Sequence, residues 1–207
     1  MTGLRERKKA DTRRALSDAA LQLTLERGLE NVTREDIAGL AGVSPRTFSN
    51  YFSTKYEALA YRQTERLRRS VALLRERPDD EPLWTSITEA IVGPVQDDFA
   101  ATKGDAYGPP DRARLAVLRS ALTDRDLRNS FPRSLFDDFA AAIAERTGTD
   151  PHRNTYPRLV AAVVHAVVEA TIDSYVTLDP PVAYPQLLRA AFADVAAGLP
   201  APADRKV

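Results

Sequence analysis

The 207-residue sequence has no cysteine, one methionine, one tryptophan, two histidines and nine glycines. Without cysteine there is no disulfide framework, no thiol nucleophile and no thiolate metal site. No stretch approaches the roughly 20 uninterrupted apolar residues of a membrane-spanning helix. The polar, charged start from Met1 to Arg14 lacks the apolar run of a secretory signal. A phosphate-cradling glycine loop and a His-Glu-x-x-His motif are also missing, and the carboxylates are scattered without a matching base and nucleophile pair. These gaps argue against an enzyme, a bound cofactor, a metal site or a membrane partner. They lead us to expect a cytoplasmic chain of one or two small domains.

What is present is a 43% hydrophobic content, enough to fill a core, and 29 basic side chains balanced by 29 acidic ones. The balance conceals an uneven distribution. Residues 1–70 hold 14 Lys and Arg against 9 Asp and Glu, a net of +5, and the remainder carries −5. A basic front attached to an acidic rear points to a nucleic-acid partner for the front alone.

Apolar residues recur at spacings of three and four nearly everywhere, and no run of five or more alternates with the period of a strand. The expected fold is therefore all-α, about nine helices separated by turn signals such as Gly28 to Asn31, Gly42 to Ser44, Arg77 to Pro82 and Thr123 to Pro132. Leu16, Ala19, Ala20 and Leu23 form the inward stripe of a first helix, which Gly28 should end as a left-handed cap. Thr33 to Asp36 reads as a capping box with Asp in place of Glu, opening a short helix that Gly42 stops. Ser44-Pro45 is a second start signal, a capping hydroxyl followed by a proline preset for the first helical position.

Two short helices joined by a glycine-containing turn form a helix-turn-helix. The second helix, Pro45 to Phe52, turns Phe48 and Phe52 inward and Arg46, Thr47, Ser49 and Asn50 outward. Arg46 can fork to O6 and N7 of guanine, and Asn50, one turn later, can pair with N6 and N7 of adenine. Thr47 and Ser49 add hydroxyls, and Thr47 a methyl group for thymine. Thr33, Arg34, Ser44, Tyr51 and Lys55 are spaced to meet phosphates, which position the reader without specifying sequence. Arg5, Arg7, Lys8, Lys9, Arg13 and Arg14 add sequence-independent attraction, and as a disordered arm they could enter a minor groove.

The run from Leu16 to Leu59 resembles the DNA-binding domain of TetR-family transcriptional regulators. The resemblance is carried by Ala19-Ala20 with Leu23, Gly28, Val32-Thr33, Ile37-Ala38, Ala41-Gly42-Val43-Ser44, Phe48, Tyr51-Phe52 and Lys55. One position departs from the pattern: Ala58, with Leu59 beside it, stands where the family usually has Leu or Ile. The resemblance implies a homodimer on a palindromic double-stranded operator, with a helical ligand-binding and dimerisation domain behind the reader. The expected division is a basic arm over 1–14, the reader over 15–60, the ligand and dimer domain over 61–199 and a tail over 200–207. A repressor released by a small, largely apolar effector is the leading expectation. A nucleoid or cell-division protein built on the same fold is the alternative, and a helical-bundle enzyme ranks below both.

In the rear part, Leu83, Trp84, Ile87, Ile91, Val95 and Phe99 make one helical stripe, and Leu135, Phe136, Phe139 and Ile143 another. The family resemblance implies that such helices enclose an effector, so Trp84, Ile87, Ile91, Phe99, Leu118, Leu122, Phe136 and Phe139 are expected to line a pocket. The segment from Leu74 to Trp84 resembles regulators with an acyl-CoA-type ligand domain. His165, Glu169 and Asp173 share one face of an apolar helix. They read as a polar strip in solvent or at a dimer edge, or, for His165 and Glu169, as polar anchors for the ligand; as a zinc site the set is incomplete. Leu188, Phe192, Val195 and Leu199 form a stripe expected at a dimer interface.

Overall fold

The computed structural model describes residues 3–101, 116–117, 120–121, 124–132, 134–151, 153–178 and 182–201, with the backbone alone at 99–101 and 128. Among these, nine α-helices are bounded: α1 (Leu4–Arg27), α2 (Arg34–Leu40), α3 (Pro45–Tyr51), α4 (Lys55–Glu76), α5 (Leu83–Ala101), α6 (Arg125–Asn129), α7 (Ser134–Thr147), α8 (Tyr156–Thr177) and α9 (Tyr184–Ala196). A single 3-10 turn, Leu29–Asn31, separates α1 from α2, and no strand occurs among the described residues. The chain forms two compact units. The first runs to Arg66 and includes the described residues between 116 and 132; the second begins at Leu67 and takes the rest. Helix α4 is continuous across that boundary.

In the first unit, Leu16, Ala19, Ala20 and Leu23 of α1 meet Ile37, Ala38, Phe48, Phe52 and Ala58 in one buried cluster. Ala58, the departure from the family pattern, is completely buried there, with Leu59 half-buried against the cluster. Phe48 and Phe52 lie 6.0 Å apart between ring centroids, and Phe52 meets the edge of Tyr61 at 5.6 Å. Both separations suit aromatic pairs. A second, smaller cluster packs Leu127 of α6 and Ala121 against Leu29 and Ala60. Helix α6 lies inside the segment from Thr123 to Pro132 that the sequence marks as a turn. Asp124 starts it, its carboxylate accepting from the amides of Asp126 (2.8 Å) and Leu127 (3.0 Å), and at five residues it is too short for a periodic stripe to betray.

Two expectations for α1 change. The basic residues from Arg5 to Arg14 are helical from Leu4 onward rather than a disordered arm. No glycine or proline interrupts residues 4–27, and Glu6 pairs with Lys9 at 3.3 Å, so propensity and side-chain pairing both extend the helix. Gly28 takes φ 80° and ψ 147°, a positive φ that favours glycine but lies outside the left-handed helical region.

The second unit has one core, drawn from α4 (Val71, Leu74), α5 (Ile87, Ile91, Val95), α7 (Phe139, Ile143), α8 (Val160, Val164, Val167) and α9 (Leu188, Phe192). Ion pairs tie the helices at the rim. Arg75 bonds Glu145 at 2.8 and 3.2 Å, and Arg189 pairs with Glu89. Arg146 donates to the backbone carbonyls of Arg77, Pro78 and Glu81, closing the α4–α5 loop. Helix α8 holds no uninterrupted apolar run of bilayer length, since Arg158, His165, Glu169 and Asp173 divide it. Its 22 residues hold an 18-residue window of mean hydropathy 1.5, enough to cross a membrane by length and composition alone, a test that the core helix of a globular protein also passes. One of its faces is committed to the core, while His165, Glu169 and Asp173 lie exposed on another.

Candidate nucleic-acid interface

Helix α2 begins with the reciprocal cap that the sequence encodes. The Thr33 hydroxyl accepts from the Asp36 amide at 3.1 Å, and the Asp36 carboxylate accepts from the Thr33 amide at 3.0 Å and from its hydroxyl at 2.5 Å. Hydrogen bonds from Thr33, and then the positive charge of Arg27, hold the Asp36 carboxyl below its ordinary value. The helix ends in a Schellman motif: Val43 N–H bonds Ala38 O at 2.9 Å and Gly42 N–H bonds Gly39 O at 3.1 Å, with Gly42 at φ 70°. That turn sets the angle between α2 and α3.

Ser44 caps α3, its hydroxyl accepting from the Thr47 amide at 3.0 Å, with Pro45 in the first turn. Phe48 is fully buried on the inner side. Arg46, Ser49 and Asn50 are exposed on the outer side, and Thr47 is half-buried. Two of the four expected base readers have internal partners: the Thr47 hydroxyl shares a hydrogen bond with Ser44 at 2.9 Å, and Ser49 donates to Pro45 O at 3.2 Å. Arg46 and Asn50 project without such a tie among the described residues, so their donors and acceptors are available to a base edge.

Around α3 the expected phosphate contacts divide. Arg13 lies over the Tyr51 ring, and a shallow groove beside Tyr51 is lined by Leu4, Arg5, Lys8 and Lys9 of α1. Arg14 is exposed on the same helix. Thr33 and Arg34 line a second recess with Ser53, Thr54, Lys55 and Tyr56, where the starts of α2 and α4 converge. Thr54 caps α4, accepting from the Glu57 amide at 3.1 Å, and Glu57 accepts from the Ser53 amide at 2.7 Å. The Thr33 and Ser44 hydroxyls are occupied by their caps. Lys55 differs most from expectation: its ammonium is bound to backbone carbonyls of the first unit itself. Burial raises the neighbouring Tyr56 phenol above its ordinary value, with Asp124 and Asp126 adding to the effect.

The expected effector and dimer residues of the second unit also divide. Ile87, Ile91 and Phe139 are buried in its core and Trp84 lies partly buried against it. Phe136 is exposed, one step off the α7 stripe that buries Leu135, Phe139 and Ile143. His165 and Glu169, 3.5 Å apart with side chains 67% and 62% exposed, face away from the core and are not interior anchors. Leu118, Leu122 and the Phe99 side chain lie outside the described residues. Leu188 and Phe192, expected at a dimer interface, are buried in the chain's own core at 1% and 0% exposure. Val195 packs partly against that core, and Leu199, beyond α9, is exposed. The stripe of α9 was legible, but periodicity alone does not say whether its partner is the same chain or another.

Comparison with known proteins adds an independent line. Residues 16–60 match the family described as bacterial regulatory proteins, tetR family, and residues 81–200 match the MftR C-terminal domain. The chain is 32% identical over 171 residues to the HTH-type transcriptional regulator TcmR of Streptomyces glaucescens, covering 80% of this chain and 73% of that protein. Its fold is similar to that of the fatty acid degradation regulator FadR from Bacillus halodurans (TM-score 0.58, 18% identity, 91% of this chain and 96% of that one). It is also similar to the TetR-family repressor FadR of Thermus thermophilus, solved with lauroyl-CoA (TM-score 0.52, 18% identity, 92% and 98%). At these identities the structural likeness speaks for the fold alone.

Proposed function

Because the chain belongs to the TetR family of DNA-binding transcriptional regulators, a family of regulators rather than enzymes, we propose that it is a homodimeric repressor whose α3 reads each half of a palindromic operator. The observation that carries this reading is the outer face of α3, where Arg46 and Asn50 stand one turn apart, exposed and without internal hydrogen bonds among the described residues. Arg46 addresses guanine and Asn50 adenine. Arg13, Arg14, Arg34 and Tyr51, with the amides at the starts of α2 and α4, meet the flanking phosphates. Thr47 and Ser49 contribute methyl and hydroxyl contacts secondary to their internal bonds.

One short helix touches too few base pairs to select a site, so two-fold pairing is part of the function. The surface for it is the exposed small-residue face of α8, Ala162, Ala166 and Ala170, with the exposed Leu159 one turn before it, together with Ala190, Ala193 and Ala197 at α9. Small side chains let helices approach closely. A small, largely apolar effector, for which an acyl chain is the model suggested by the lauroyl-CoA bound to the Thermus relative, inserts in the core of the second unit beside Trp84, Ile87, Ile91 and Phe139. It releases DNA by favouring an arrangement of α4 that misaligns the two readers, and it acts only through tighter binding to that arrangement.

Footprinting and gel shifts on DNA flanking the gene, with wild-type, Arg46→Ala and Asn50→Ala proteins, test the reading. Each substitution removes a bidentate base contact of about 1–3 kcal/mol, so each should relax selectivity at one base pair per half-site. Undiminished sequence-specific binding by both variants rejects α3 as the reader.

A further inference from the structure

Lys55, the first residue of α4, reaches back to the chain just ahead of α2. Its Nζ donates to Leu29 O at 2.7 Å and to Val32 O at 2.9 Å, residues 26 and 23 positions earlier. These carbonyls bracket the 3-10 turn Leu29–Asn31, and both side chains are buried, at 6% and 2% exposure. Val32 leads directly into Thr33, the cap of α2. An ammonium has three donors, and here two are committed. Nζ also lies 5.5 Å from the centroid of the Tyr56 ring, whose face favours a cation. The charge is thus served by two carbonyl dipoles and an aromatic face. Turning it toward a phosphate would strip the Val32 carbonyl of its ammonium donor and leave the Leu29 carbonyl with only the long 3.4 Å bond from the Val32 amide, a cost a solvent-held lysine does not incur.

We propose that Lys55 is a positioning residue for DNA reading, one whose ammonium touches no DNA. It clamps the Leu29–Val32 connection onto the start of α4 and so fixes α2, and with α2 the reading helix α3 that packs on it. The proposal rests on α3 as reader, so wild-type protein is tested first on a duplex it selects from random DNA and on an unrelated duplex. Equal affinity for the two would reject the reader and this proposal together.

The full-length Lys55→Gln and Lys55→Arg proteins are then measured on both duplexes across a salt series, with circular dichroism to fix the folded fraction. A lost phosphate contact weakens both duplexes alike and lowers the slope of log affinity against log salt by about 0.9 per contact. A lost clamp does something else: Lys55→Gln should lower affinity for the selected duplex about tenfold, leave the unrelated duplex and the salt slope unchanged, and so lower selectivity about tenfold. Lys55→Arg, which can still donate to two carbonyls, should recover most of it. Equal weakening on both duplexes with a reduced slope overturns the proposal. Reductive methylation of the wild-type protein gives an answer that does not depend on a variant folding. Lys55 should resist modification in DNA-free protein while Lys8 and Lys9 react; a Lys55 that reacts freely until DNA protects it also overturns the proposal.

Discussion

The guanidinium of Arg13 lies 5.8 Å from the centroid of the Tyr51 ring, which joins the basic side of α1 to the end of the reading helix α3. Neither residue alone marks a site, because an exposed arginine and a half-buried tyrosine are ordinary surface. Together they hold a cation at the edge of the outer face of α3, where the proposed reading brings the phosphates flanking a half-site.

This pairing predicts different outcomes at its two ends. Arg13→Gln removes one phosphate-facing charge per protomer, so the salt slope of operator binding should fall by about 0.9 for each protomer. Tyr51→Phe keeps the ring that favours the cation and should leave that slope unchanged. Filter binding across a salt series measures both, and an unchanged slope for Arg13→Gln would remove Arg13 from the phosphate contacts.

The α4–α5 loop carries an acid-sensitive lock. Hydrogen bonds from Arg77 first, and then Ser86, with the charges of Arg77 and Arg146, hold Glu81 down to a pKa of about 2. A carboxyl lowered on folding contributes stability that is complete above its unfolded value near 4.5 and is lost as pH falls toward 2. Thermal unfolding of wild-type protein should therefore shift downward through that window, while Glu81→Gln starts less stable at neutral pH and shows a flatter acid limb. Parallel acid limbs for the two proteins would show that the lock contributes nothing.

The reader was legible residue by residue because its signals are local. Thr33 with Asp36, Ser44 with Pro45, and Gly42 at a positive φ each satisfy a backbone requirement within a few residues of their own position, so spacing alone reveals them. Long-range partners leave no such trace. Nothing in the order of residues says that Lys55 Nζ reaches Leu29 and Val32, or that Leu127 packs against Leu29, and at the sequence level Lys55 looked like one more cation for a phosphate. The stripes of α7, α8 and α9 lie between these cases. Periodicity marks Phe192 and Leu188 as inward, but their burial within one chain depends on neighbouring helices brought together by folding.

With Leu188 and Phe192 buried within the chain, the proposed dimer surface lies on the exposed side of α9 and on α8, where a substitution can separate assembly from folding. Ala166 is exposed on α8, with Ala162 and Ala170 one turn away on either side. If two copies pack there, a charged, longer side chain enters a contact that only small residues permit, and its desolvation adds to the clash. Ala166→Glu should therefore sediment as a monomer, keep the far-ultraviolet circular dichroism of the wild type, and lose operator binding because a single reader spans one half-site. Phe192→Ala acts inside the protomer, where deleting a fully buried ring costs about 3–5 kcal/mol, so it should lower thermal stability first. Analytical ultracentrifugation and thermal melts on the two variants distinguish the effects, and a stable dimeric Ala166→Glu protein would place the interface elsewhere.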